Sequence, residues 1–366
     1  MSKANEPKKI RVGIIGASPS QHGWAVHAHL PALAALPAYE VTAVSTTRQA
    51  SADETARRFG VRHAFDRPGP LIEHPEVDLV VVSVRTPLHA GLVRAACAAK
   101  KPVLCEWPLG ASLAETADLA RGAESAGVRT AVGLQRRFAP GVRYLRDLLD
   151  QGYVGEVRSV AIDVAMPMLG AQVPKAHAYG ADAGNGATTL TIIAAHYLDT
   201  VLSAVGDLQS LSAVVARRID ATTILETGEV VPVTAPDQVA IAGTLASGAV
   251  LSAHFDGGKR NGGGRSVTVS GTEGDLRLSE DLTVSGARGN GQPLQPLPTP
   301  ERYLTIPRSA MPDEAYLMAY FYAALAKDWA EGTEVVPTFR EALRLYRLLD
   351  TISESSATGQ RLDWKG

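Results

Sequence analysis

At 366 residues, with 45% apolar and 20% charged residues, the chain is long enough for two domains with separate cores and has the balance of a soluble globular protein. Its formal net charge of −2 argues against a general attraction to nucleic acid or to an anionic membrane. The two cysteines, Cys97 and Cys105, show neither metal-ligand spacing nor a disulfide framework, so no metal site is expected and a reducing, cytoplasmic setting is predicted.

In chain order, the polar N-terminus through Lys9 lacks the apolar core of a signal peptide. Residues 10–15 form an apolar run with β-branched residues. The run breaks into Gly16, Ala17, Ser18 and Pro19, and an alanine-rich helical pattern covers 25–36. Strand, glycine turn and helix in this order open a dinucleotide-binding fold. The glycines permit a tight turn and close approach to a pyrophosphate, and the helix N-terminus offers N–H groups and a partial positive charge. On this reading Gly13, Gly16, Ala17, Ser18, His22 and Trp24 border the cofactor. The strict G-x-G-x-x-G spacing is absent, because six residues separate Gly16 from Gly23, and an ordinary strand–helix turn is the competing reading.

A second strand over 39–45 ends in Ser45, Thr46, Thr47 and Arg48. The carboxylate that would accept bonds from an adenosine ribose is missing until Asp53. Hydroxyls beside a guanidinium suit a 2′-phosphate, which favours NADP over NAD. The alternative is that Arg48 simply begins a solvated helix. A buried strand over 77–84 leads to Arg85, Thr86, Pro87 and His89, with Thr86 as a candidate N-cap and His89 as a cap or a cofactor contact. A strand over 102–105 runs into Glu106, Trp107 and Pro108, and Trp107–Pro108 is a candidate for a cis bond. A helix over 111–126 and a strand over 130–134 follow, ending at Gln135. Strands alternating with helices predict a doubly wound parallel sheet over 8–136, with ligands at the carboxyl ends of its strands.

Several motifs in this order carry a family resemblance: the Gly13–Gly16 turn, Thr86-Pro87-Leu88-His89, Glu106-Trp107-Pro108, Gln135-Arg136-Arg137-Phe138-Ala139-Pro140, Gly152-Tyr153-Val154-Gly155-Glu156, His196-Tyr197-Leu198-Asp199 and Gly271-Thr272-Glu273-Gly274-Asp275-Leu276. With them the chain resembles the glucose–fructose oxidoreductase/inositol dehydrogenase (Gfo/Idh/MocA) family over nearly its whole length. The resemblance implies an N-terminal Rossmann domain binding NAD(P) and a C-terminal α/β domain, 137–366, built on a large, mostly antiparallel open sheet. It further implies a carbohydrate-like substrate between the two, last helices packed back on the first domain, and a homo-oligomer, dimer or tetramer. Two positions depart from the family pattern. Trp107 stands where the family carries a lysine beside the nicotinamide, and Ile192 stands where an aspartate usually precedes the histidine. Glu-Trp-Pro and the extended glycine turn resemble the branch typified by the yeast galactose-regulon repressor, regarded as a regulator rather than an enzyme.

In the second half, residues 138–152 read as a linking helix and 157–164 as a strand. A Pro/Gly/Ala-rich stretch over 166–186 carries Lys175 and Tyr179. The apolar segment 187–205 contains His196 and Asp199 and reads as a buried helix rather than a membrane span. Strands then dominate to residue 278, and helices over 313–331 and 338–353 close the chain. Hydride transfer needs a group that handles the hydroxyl proton. Without the family lysine, His196 is the first candidate, with a core histidine as the competing reading. Tyr179 and Lys175 follow, as a pair in which the cation would lower the phenol pKa. The reading is an NAD(P)-dependent oxidoreductase acting on a sugar, polyol or related hydroxy compound. The alternative is a non-catalytic NAD(P)-binding regulator or sugar sensor acting through a protein partner.

Overall fold

The computed structural model describes residues 9–20, 23–261, 263–308 and 311–366. Two compact units emerge, and the chain visits both twice. One comprises residues 1–135 and 306–343, the other residues 136–305 and 344–366. The linear boundary expected near residue 136 is thus replaced by a discontinuous one, because residues 306–343 make their contacts with the N-terminal unit.

The first unit is built on six parallel strands: β1 (Ile10–Ile15), β2 (Tyr39–Ser45), β3 (His63–Phe65), β4 (Leu79–Val82), β5 (Val103–Glu106) and β6 (Thr130–Gly133), in the order β3-β2-β1-β4-β5-β6. The order reverses at β1/β4, which is the switch point where open α/β sheets bind ligands. All four residues of β4, Leu-Val-Val-Val, are buried, as a central parallel strand covered on both faces requires. The helices are α1 (Leu30–Ala34), α2 (Gln49–Phe59), α3 (Pro68–Glu73), α4 (His89–Ala98) and α5 (Leu113–Ala126). The segment read as one helix over 25–36 begins as a π-helical turn, Ala25–His29, before α1. The start of α5 has a reciprocal local cause. Ser112 accepts from the Glu115 N–H at 3.2 Å, and the Glu115 carboxylate accepts from the Ala111 N–H at 2.8 Å.

The second unit opens with α6 (Pro140–Asp150) and β7 (Val157–Ala165). Strands β8 (Gln172–Val173), β9 (Leu208–Ala216), β10 (Ala221–Ile224), β11 (Val230–Pro232), β12 (Gln238–Leu245), β13 (Val250–Asp256), β14 (Gly264–Gly271), β15 (Gly274–Leu278), β16 (Val284–Arg288), β17 (Gln295–Leu297) and β18 (Leu362–Asp363) complete it. Nine of them form one sheet in the order β17-β16-β15-β14-β7-β13-β12-β9-β18. Within it β7 pairs parallel with β13, and the other neighbours are antiparallel. One face is apolar and buried through Val160, Ile162, Val239, Ile241, Leu251 and Phe255. A π-helical segment, Thr189–Ala194, continues into α7 (Ala195–Val205), and the segment packs on β12 and β13. Residues 166–186 are not a featureless loop, because Leu169, Val173 and Ala181 bury a small core with Val233 and Ala235 beside the three-stranded sheet β11-β10-β8.

Helix α8 (Asp313–Glu331) lies in the first unit and packs on α1 and the preceding π turn. Helix α9 (Phe339–Thr358) carries the chain onward into the second. Between them Asp328, 4% exposed, holds the connection together. Its carboxylate accepts from Thr333 Oγ1 at 2.5 Å and from the Val335 and Val336 N–H groups at 2.8 and 2.7 Å. Asp328→Ala leaves three donors without their acceptor, the Val336 N–H among them buried, and is expected to cost about 1–3 kcal/mol. A urea midpoint unchanged from wild type would refute that role.

Candidate functional site

In the first unit the candidate cofactor residues gather at the carboxyl ends of the parallel strands. Gly16 follows β1 with φ +94°, and a Cβ there would lie 2.1 Å from the carbonyl oxygen of Ser83, so the turn admits glycine alone. Gly13 is also tight, because a Cβ would meet Leu71 at 2.7 Å. The N–H groups of Gly16 and Ala17 both donate to the Ser45 carbonyl, at 2.9 and 3.2 Å, which ties the turn to the end of β2. Ser18 is half-buried beyond it. Trp24 is half-buried, and its indole Nε1 is sealed from solvent without a hydrogen-bond partner. His22 lies outside the described residues.

At the end of β2, Ser45 and Thr46 are buried while Thr47 and Arg48 are exposed. The Thr46 hydroxyl is already engaged with the Arg48 carbonyl at 2.8 Å and with Ser51 Oγ at 2.6 Å. Of the residues predicted for a 2′-phosphate, Thr47 and Arg48 remain accessible. Arg48 is also the residue preceding α2, with extended backbone angles, so both readings of it coexist in the fold.

After β4, Arg85 and Pro87 are exposed and Thr86 is buried. Thr86 is not the N-cap expected. It opens a short 3₁₀ turn, Thr86–Leu88, whose capping position is Arg85, and α4 starts only at His89. His89 is 1% exposed, and its ring nitrogens face the carbonyls of Pro108 at 2.8 Å and Val84 at 2.9 Å. Its ring is occupied as a brace between two strand ends, which removes the direct cofactor contact proposed for it.

The Glu-Trp-Pro segment ends β5. Its Trp107–Pro108 bond is cis, and the Trp107 side chain is buried. The Glu106 carboxylate lies against Gly133 of β6, where a Cβ would be 2.6 Å from Oε2. On its other side Glu106 Oε1 stands 3.0 Å from Nε2 of the fully buried His29, within ion-pair distance though not aligned as a hydrogen bond. His29 Nδ1 meets the Tyr322 hydroxyl at 2.7 Å. Burial holds the Tyr322 phenol protonated by raising its pKa. A protonated phenol can donate to Nδ1, and in that tautomer the ring proton of His29 sits on Nε2, facing Glu106. Sequence reading missed this chain, because its members come from the π turn, β5 and α8. Gln135, 7% exposed, completes the set, with its Oε1 buried and without a partner.

The second unit places the proposed catalytic residues. His196 lies in the first turn of α7, directly after the π-helical segment. Burial, and secondarily the charge of Arg136, push its pKa down to about 3. The imidazole is therefore neutral at physiological pH, able to donate or accept a hydrogen bond but a poor proton reservoir. Its Nδ1 is buried without a partner. Lys175 is exposed, and its backbone N–H donates to Glu226 Oε2 at 2.7 Å. Tyr179 is half-buried on a 3₁₀ turn, Ala178–Ala181, with its carbonyl accepting from Asn185. A solvated ammonium perturbs a phenol weakly, so this loop gives little support to a tyrosine–lysine relay. Asp199 is committed elsewhere, to a bidentate pair with Arg137.

Buried, unpartnered Ser83 Oγ, Gln135 Oε1 and Trp24 Nε1, together with a turn that excludes any Cβ at Gly16, fit a bound dinucleotide. The fold and these atoms define the class: a Rossmann nucleotide-binding unit joined to an α/β unit with a large mixed sheet. Residues 10–134 match the oxidoreductase family with an NAD-binding Rossmann fold, and residues 140–280 match the Gal80p C-terminal domain. The first domain is thus similar to the oxidoreductase family, and the second to the C-terminal domain of Gal80p.

Its relatives divide between regulators and enzymes. The galactose/lactose metabolism regulatory protein GAL80 of Saccharomyces cerevisiae is 28% identical over 315 residues, which is 78% of this chain and 72% of that protein. The dehydrogenase aclE of Aspergillus oryzae is 34% identical over 212 residues, 56% of this chain and 57% of the relative. Among solved structures, a levoglucosan dehydrogenase in complex with NADH and L-sorbose superimposes with a TM-score of 0.85 at 22% identity, covering 98% of this chain and 99% of that one. That likeness concerns the fold.

Proposed function

We propose that this protein is an NAD(P)-dependent oxidoreductase that moves a hydride to or from the CH–OH carbon of a sugar, polyol or related hydroxy compound. The observation that carries the reading is that Ser83 Oγ and Gln135 Oε1, just beyond the carboxyl ends of β4 and β6, are buried without a hydrogen-bond partner. Gly13, Gly16, Ala17 and Ser18 would hold the pyrophosphate, and Thr47 and Arg48 the ribose or its 2′-phosphate. Glu106, Trp107 and Gln135 would border the nicotinamide, which supplies the hydride chemistry when bound. His196, held neutral, serves as a hydrogen-bond partner for a substrate oxygen in this reading.

A second reading has its own support. Trp107, 5% exposed, occupies the place of the family lysine, and an indole donates a hydrogen bond but cannot accept a proton. This favours a cofactor-binding regulator acting through a protein partner, in keeping with the regulatory role for which the yeast relative is named. Side-by-side titration of NADPH and NADH, followed by quenching of tryptophan fluorescence, separates the possibilities. NADPH is expected to bind at least about tenfold more tightly, with the difference removed in Arg48→Ala, since each tenfold is about 1.4 kcal/mol. Equal binding would refute the 2′-phosphate site. Binding of either nucleotide without turnover across a panel of sugars and sugar acids would favour the regulator, and binding of neither would overturn both readings.

A further inference from the structure

Three arginines stand close together in the second unit's chemistry, and two of them are neutralised. Arg137 is paired with Asp199, and Arg265 is paired with Glu280. Arg136 is not paired. Among the described residues no carboxylate lies within ion-pair distance of it, and its Nε is sealed from solvent without a hydrogen-bond partner. Its guanidinium sits 4.5 Å over the ring of Tyr197. The neighbour that most affects it after Tyr197 is another cation, Arg265. Burial pushes the Arg136 pKa down, and Arg265 adds to the shift; only the phenol of Tyr197 acts against it, and no carboxylate does. A desolvated charge without a counter-ion is costly, and native proteins rarely retain one unless a ligand completes it. The side chain is half-buried, not enclosed, so part of it remains reachable. The adjoining His196 Nδ1 is buried and unpartnered as well, and its ring is a neutral group able to share in the same ligand.

We propose that Arg136 is an anion-binding residue that receives a carboxylate or phosphate group carried by the substrate, so that the substrate class is an acidic sugar derivative rather than a neutral sugar or polyol. A guanidinium matches either group with two parallel N–H bonds, and the aromatic face of Tyr197 holds its plane. The proposal rests on the oxidoreductase reading only in calling the ligand a substrate. The binding itself is measured without turnover.

The test uses the full chain and calorimetric titration with gluconate, glucuronate and inorganic phosphate. Glucose and sorbitol serve as neutral counterparts at matched ionic strength. Wild type is compared with Arg136→Met and Arg136→Lys, and NADPH is titrated into each. The expected result is binding of at least one sugar acid to the wild type, weakened tenfold or more in Arg136→Met and only partly recovered in Arg136→Lys. Because Arg136→Met removes an uncompensated charge, its melting temperature is expected to equal or exceed that of the wild type, whereas a structural arginine would lower it. Equal affinity for acidic and neutral sugars, retention of acid binding in Arg136→Met, or absence of binding by every anion would each overturn the proposal. Loss of NADPH binding with acid binding intact would assign the guanidinium to the cofactor's phosphates and overturn it too. Acid binding without any NAD(P)-dependent turnover would defeat the oxidoreductase reading alone and leave the anion site standing.

Discussion

Gly16→Ala is expected to destabilise the first unit by about 3–5 kcal/mol and to abolish nucleotide binding. Two effects add. At φ +94° an L-residue is strained, and the new Cβ would lie 2.1 Å from the Ser83 carbonyl oxygen and 2.7 Å from Val84 Cγ1. The obstacle is backbone, so no side-chain rotation relieves it. Ser83 cannot withdraw easily, since its N–H donates to the Ile15 carbonyl at 3.0 Å, and Ile15 pairs with Val82 in the β1–β4 ladder. Movement on the other side would break the bonds from the Gly16 and Ala17 N–H groups to Ser45. Gly127 supplies the control. It also has a positive φ, +63°, but nothing lies within 4 Å of a Cβ built there, so Gly127→Ala is expected to cost only about 1–2 kcal/mol. Urea denaturation of both variants, with nucleotide titration below the transition, checks the contrast. Comparable losses in the two would show that contact with Ser83 contributes nothing.

Much of the fold was legible because its determinants are local. The run Leu79–Val82 is apolar on both faces and could only be an interior parallel strand, and Val157–Ala165 alternates as a strand with one wet face must. Helix α8 is bounded by Asp313 at its start and Gly332 just beyond its end, and was legible to the residue. Strand β3 escaped notice because it has three half-buried residues at a sheet edge, too few to show a period. The small strands β8, β10 and β11 escaped for the same reason, β8 within the Pro/Gly/Ala-rich stretch and the other two beyond it. The site was less legible than the fold. The glycine turn and the Glu-Trp-Pro segment announce themselves in sequence, yet Glu106 takes its environment from His29 and Tyr322, and the latter pair are 293 positions apart. Adjacent Arg136 and Arg137 are indistinguishable as letters. One is neutralised by Asp199 on α7 and the other faces an aromatic ring, a difference that only tertiary packing creates. Likewise His196 stands out in sequence for an ordinary pKa near neutrality, and packing removes that property.

His196 should therefore make the protein sensitive to acid in a defined window. The imidazole has an ordinary pKa of about 6.5 when unfolded and about 3 in the folded chain, lowered first by burial and then by Arg136. Between those values the unfolded chain binds a proton that the native state does not. The slope of unfolding free energy with pH is then positive, and the stabilisation present above pH 6.5 is lost as pH falls toward about 3. Each tenfold difference in proton affinity between the two states is worth about 1.36 kcal/mol, which gives the loss an upper bound of about 5 kcal/mol. Carboxylates that lose their pairing in acid, Glu76 and Glu341 among them, destabilise the protein over an overlapping range, so the wild-type curve alone is not diagnostic. Comparison with His196→Gln cancels them, because glutamine keeps a polar side chain and does not titrate. The wild type is expected to lose stability relative to the variant steadily below about pH 6.5, and the two curves should run parallel above it. Parallel curves throughout, or a His196 ring resonance titrating near pH 6.5 in the native protein, would return the side chain to the list of proton carriers. The predicted outcome leaves it neutral, and proton transfer in any reaction the protein catalyses would then have to pass through another group.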